Sequence, residues 1–84
     1  MMDESIALPL RQFMARTFDG RTIADGDDIF SLGFGNSLFA MQLVAFVEKQ
    51  FGVDIESEDL DMDNFRSIQA ITDLVERKRP RAGA

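Results

Sequence analysis

Asp28 to Gly52 reads DIFSLGFGNSLFAMQLVAFVEKQFG. Two glycines, Gly33 and Gly35, punctuate its first part, and Asn36 and Ser37 follow. Asn and Ser are favoured at helix starts because their side-chain oxygens accept hydrogen bonds from the unpaired N–H groups of the first turn. From Leu38 to Val47 the only polar side chain is Gln42. The stretch therefore predicts a helix from about Ser37 to Phe51, ended by Gly52, the residue type expected there. A surface helix needs one apolar stripe and one polar face, and this one is apolar on nearly every side. A short chain cannot bury it all round, so part of it should lie open as a docking surface.

The helix then divides into two rows. Leu43, Val47 and Phe51, spaced by four, are assigned to the core, with Val44 and Phe46 at its margins. Leu38, Met41 and Ala45 form the more exposed apolar row, with Glu48 beside it. The competing reading places all of them in the core and leaves no patch.

Around this centre the chain reads as all-α. A first helix should begin between Ser5 and Pro9 and end near Phe18, after a frayed stretch from Met1 to Glu4. Ile6, Leu10, Phe13, Met14 and Phe18 recur at helical spacing. Pro9 is tolerable only in or near the first turn, and Asp19-Gly20 stops the helix. Residues 19–36 make a long connection with four glycines, plugged by Ile23, Ile29, Phe30 and Leu32. Asp27 or Asp28 caps a turn within it. Val53 to Phe65 is an acidic connection in which Asp61 caps a short helix from Met62 to Phe65. Ser67 caps a last helix from Ile68 to about Lys78, with Ile68, Ile71, Leu74 and Val75 inward. Arg77, Lys78 and Arg79 suit its negative end, and Pro80 forbids continuation into a tail at 80–84. The expected architecture is a small four-helix bundle, three main helices plus a short third, with a long loop between the first two.

Eighty-four residues suit one domain, with an ordered core at about 5–78. Such a chain buries only ~60% of its unfolded surface, so each large apolar residue is needed. The absence of a signal peptide or a membrane-length apolar run points to the cytoplasm. With no cysteine and no histidine, disulfides, thiolate metal sites and the usual general base are excluded. Net charge is −6, but four of nine basic residues lie in the last eight positions, so residues 1–76 carry −10. Seven acids fall between Glu48 and Asp63. Such a body repels nucleic acid and attracts basic protein surfaces. Asp59, Asp61 and Asp63 mimic the start of a calcium loop, but Asn64 stands where glycine should and Ala70 where a bidentate Glu should, so no metal site is expected.

Asp28-Ile29-Phe30, Gly33, Asn36-Ser37-Leu38 and Phe51-Gly52-Val53 together resemble the core signature of phosphopantetheine-dependent carrier proteins. The family motif Gly-x-x-Asp-Ser-Leu is followed as Gly33-Phe34-Gly35-Asn36-Ser37-Leu38, with Asn36 in place of the usual Asp. The resemblance spans about residues 5–78. It implies a non-enzymatic, monomeric acyl carrier with 4′-phosphopantetheine esterified to Ser37 by a phosphopantetheinyl transferase. Acyl-loading, modifying and transferring enzymes with basic surfaces would dock on Asn36, Leu38, Met41, Ala45 and Glu48. Gly-x-x-Asn-Ser-Leu-Phe-Ala and Asp-Asn-Phe-Arg-Ser-Ile look most similar to discrete carriers of polyketide extender units. Aminoacyl or D-alanyl carriers are the nearest alternative. Outside the family, an unmodified helical interaction module, with Ser37 only a cap, is the competing function. As a nucleophile of its own, Ser37 lacks a base.

Overall fold

Asp3 opens the first helix by accepting hydrogen bonds from the Ser5 N–H at 2.9 Å and the Ser5 hydroxyl at 2.6 Å. A carboxylate placed there satisfies a donor of the first turn and complements its positive end. The computed structural model describes residues 3–18, 23–31 and 37–79, with Ser37 described through its backbone alone. Among these residues the elements are α1 (Glu4–Thr17), α2 (Ser37–Phe51), a 3₁₀ turn (Ser57–Asp59), α3 (Met62–Phe65) and α4 (Ile68–Lys78), with no strand. The expected all-α bundle, with its long connection between the first two helices, is what forms.

The start of α1 differs from expectation. Glu4 is helical rather than frayed, because Asp3 caps it, and Pro9 falls in the second turn instead of the first. The helix still forms because Ile6, Ala7, Leu10 and Met14 bury one face, and packing outweighs a missing backbone donor. The stop expected at Asp19-Gly20 lies outside the described residues; α1 ends at Thr17, with the Phe18 N–H bonded to the Met14 carbonyl at 2.9 Å.

Helix α2 has the expected bounds. Gly52 ends it with φ 65°, a left-handed backbone that residues with a Cβ adopt only with strain. Its N–H reaches the Glu48 carbonyl at 3.0 Å. Ser67 and Asp61 cap α4 and α3 as expected, through Ala70 N–H to Ser67 Oγ (3.0 Å) and Asp63 N–H to Asp61 Oδ1 (2.9 Å). The expected inward residues of α4, Ile68, Ile71, Leu74 and Val75, are all buried. Helix α4 is the central post, since both α1 and α3 pack on it. Phenylalanines join α1 to α2: Phe13 stacks on Phe46 with centroids 4.4 Å apart, and Phe18 meets Phe39 at 5.0 Å.

The described part of the long loop is tied down. Ile23 and Ile29 are buried and Phe30 packs against the core that contains them; Leu32 lies outside the described residues. Arg11 on α1 grips Asp25 through two nitrogens at 2.8 and 2.7 Å and also holds Glu4. Backbone bonds from Gln69 N–H to Asp25 O (2.9 Å) and Ile29 N–H to Arg66 O (2.7 Å) fix the same loop to the other side. Asp27 and Asp28 both act as turn caps, accepting from Ala24 N–H and from the Phe30 and Ser31 N–H groups.

Candidate functional site

The site grows from the first turn of α2. Ser37 is its first residue, and the turn contains no acidic side chain. The first N–H groups of a helix have no intrahelical carbonyl, and the aligned peptide dipoles leave partial positive charge there. That end of α2 is therefore suited to a phosphate ester. Asn36, Gly33 and Gly35 lie outside the described residues, as does the Ser37 side chain.

Beyond Ser37 the expected row is open to solvent. Leu38 is 66 % exposed and Met41 70 %, whereas Leu43 and Val47 are at 0 %. Ala45 is exposed as well. The assignment of the two faces is thus what the structure has, with two changes. Phe51 is half-buried at the margin, and Phe39, which was not assigned to the core, is buried inside it. The pattern carried that signal: extending the spacing of four backwards from Leu43 lands on Phe39.

Glu48 is not a free surface charge. It is half-buried, and its Oε2 accepts from the Ile55 N–H at 2.9 Å, tying α2 to the segment after Gly52. Among the neighbouring acids, Asp54, Glu56, Glu58, Asp61 and Asp63 are exposed. Asp59 is withdrawn: its Oδ2 receives Lys78 Nζ at 2.6 Å and the Glu56 N–H at 3.0 Å. The lysine contact, and then the backbone donor, hold the Asp59 carboxyl below its usual range, and the same pair raises Lys78. Asp63 pairs with Arg66 at 2.7 Å. The three aspartates that mimic a calcium loop are therefore each given to a cap or an ion pair.

Two apolar hollows flank the outward row. One, of about 160 Å³, lies between Ala40 and Val44 of α2 and Leu60, Met62 and Phe65, with Phe30 at its end. The other, of about 340 Å³ and open to solvent, is bordered by Met41, Ala45 and Glu48, and again by Leu60. Sequence reasoning did not single out Leu60 and Met62. They are 59 % exposed each, on a segment that looked merely acidic.

A family model described as a phosphopantetheine attachment site matches residues 9–75. The chain belongs to that family. Comparison with curated proteins and with solved structures gave no significant match. Family membership makes the chain a carrier, not a catalyst, that bears covalent 4′-phosphopantetheine and meets a phosphopantetheinyl transferase and partner enzymes. The arm supplies the thiol that a cysteine-free chain lacks. The residues present fit it: a helix start with no first-turn carboxylate, followed by exposed apolar side chains. No helix among the described residues of this carrier is long and apolar enough to cross a membrane.

Proposed function

We propose that this carrier holds an acyl group as a thioester on an arm esterified to Ser37, and presents it to enzymes of polyketide extender-unit metabolism. The observation that supports Ser37 is its position as the first residue of an acid-free helix turn, within Gly33-x-x-Asn36-Ser37-Leu38. Leu38, Met41 and Ala45 then form the gripping surface, with Asn36 and Glu48 at its edges. The exposed acids from Asp54 to Asp63 steer basic partner surfaces, while the apolar row supplies contact that outlasts added salt. The carrier acts as a cytoplasmic monomer of one domain spanning 1–84, without nucleic acid. An apolar flank built from Phe30, Ala40, Val44 and Leu60 favours an acyl cargo over a free aminoacyl one.

The deciding experiment is incubation with coenzyme A and a broad-specificity phosphopantetheinyl transferase, followed by intact mass and peptide mapping. One added phosphopantetheine on Ser37, and none on Ser37→Ala, is the expected result. Mapping to Ser5, Ser31, Ser57 or Ser67, or a folded chain that is never modified, would overturn the assignment. Loading the modified carrier with malonyl-type and with D-alanyl donors then decides the cargo.

A further inference from the structure

The apolar row of α2 has two borders, and they carry opposite charge. Each residue advances about 100° around a helix, so Glu48 and Lys49 stand that far apart on α2. Met41, Ala45 and Leu38 fall in the arc between them. On the first border Glu48 lines the hollow shared with Met41, Ala45 and Leu60, and it accepts from the Ile55 N–H. The exposed acids Asp54 and Glu56, on either side of Ile55, therefore belong to that border. Lys49 belongs to the other. Phe46, three residues earlier and so its neighbour on the helix surface, stacks on Phe13 of α1 with centroids 4.4 Å apart. Arg16 stands in the same relation to Phe13. The seam between α1 and α2 is thus flanked by one cation from each helix, and both are exposed.

These two cations stand apart from the other bases. Among the described residues Arg11, Arg66 and Lys78 are held in ion pairs, Arg77 is bonded to Asn64, and Arg79 lies in the field of Asp3. Arg16 and Lys49 have no acid partner among the described residues, in a chain of net charge −6. Each sits in the last turn of its helix, where a cation complements the negative end. That role asks only for a cation near the helix end; it does not ask that both border one seam. We propose that the docking face is two-sided. The phosphopantetheinyl transferase that meets this carrier sets basic side chains against the acids beside Glu48 and carboxylates against Lys49 and Arg16, with an apolar pocket over the row between. Opposite borders admit one orientation of the partner, because a turned partner meets like charges on both sides. The inference rests on the proposed docking row but is separable from it, since a transferase with basic residues all round the row would be repelled by Lys49.

The test titrates the unmodified chain with a broad-specificity phosphopantetheinyl transferase and reads Kd by calorimetry, so it needs no modification to proceed. Lys49→Glu should raise Kd about fivefold and Arg16→Glu about threefold, while Lys49→Arg stays within about twofold of the wild type. Lys49→Gln and Gln50→Glu change the net charge equally and in the same helical turn, yet only the first should weaken binding. Equal weakening by both would make it an effect of total charge and overturn the contact. Melting temperatures are taken alongside. A lower melt in Lys49→Gln with unchanged Kd would leave the lysine serving the helix end alone and overturn the inference. Tighter binding by Lys49→Glu would mean a uniformly basic partner and overturn it as well, as would no binding by the wild-type chain. Met41→Ala in the same titration separates the two readings. Weaker binding there, with Lys49→Glu unchanged, removes the cationic border and leaves the row standing; unchanged binding removes the row and this inference with it.

Discussion

Leu38 and Phe39 are neighbours on one helix, both large and apolar, yet one is 66 % exposed and the other 5 %. The inward face of α2, Phe39-Leu43-Val47, belongs to the common buried core, with Phe39 stacked on Phe13 of α1. The outward face, Leu38-Met41-Ala45, is also apolar and stays exposed. Both rows are apolar; the difference lies in how far each is covered. An apolar side chain contributes to stability only when folding removes it from water, so the inward row holds the fold, and the outward row is the docking surface we propose.

The sharpest way to break this comparison is to truncate each face and melt the variants. Phe39→Ala should cost about 3–5 kcal/mol and Leu43→Ala about 2–5 kcal/mol, since each leaves a cavity in close packing. If either melts like the wild type, the inward face is misassigned.

Acid probes a different kind of support. The inward face of α2 carries no titratable group, so pH acts through the ties around it. Asp25, Glu4 and Asp59 are held below their ordinary values by hydrogen bonds from Arg11, Arg11 and Lys78, and Asp28 by backbone donors led by Ser31. Stability from these lowered carboxyls is present in full above the ordinary values, 3.8 for Asp and 4.5 for Glu. It drains as pH falls through the lower folded values. Lys78 is raised, so its contribution is whole below 10.5 and is lost as pH climbs through the raised value. Melting temperature should fall as pH drops below about 4, and Arg11→Ala should flatten that slope by removing the partner of Asp25 and Glu4. An unchanged slope in Arg11→Ala would place acid sensitivity elsewhere.

On the outward face, Met41→Ala should change stability by about 0.5 kcal/mol or less, because an exposed side chain leaves no cavity. It should nevertheless lower the rate of enzymatic loading several-fold. A melt as early as that of Leu43→Ala would turn the proposed docking row into core. The smallest effect belongs to Asn36→Asp. Asn and Asp cap helices about equally well, so the melting temperature should hold and modification by a broad-specificity transferase should continue in both forms. Refusal of the wild-type chain by such an enzyme, with the Asp variant accepted, would make the carboxylate a requirement.

Much of this was legible in the residues. The bounds of α2, α3 and α4, their caps at Asp61 and Ser67, and the stop at Gly52 follow from local hydrogen bonding and backbone freedom, which neighbouring residues decide. The two faces of α2 were legible from spacing, whereas the proposed attachment at Ser37 rests on a motif. Residues farther along the chain decided the rest. Pro9 sits in a second turn because Asp3 caps early and Ile6, Ala7 and Leu10 are buried, a trade that α1 alone does not reveal. Glu48 and Asp59 look like surface acids in sequence, and become structural because Ile55 and Lys78 are brought to them from seven and nineteen residues away. Leu60 and Met62 acquire meaning only opposite Ala40 and Val44. Local periodicity says which residues are apolar and how they are spaced; only packing says which partners arrive, and burial is a property of the pair.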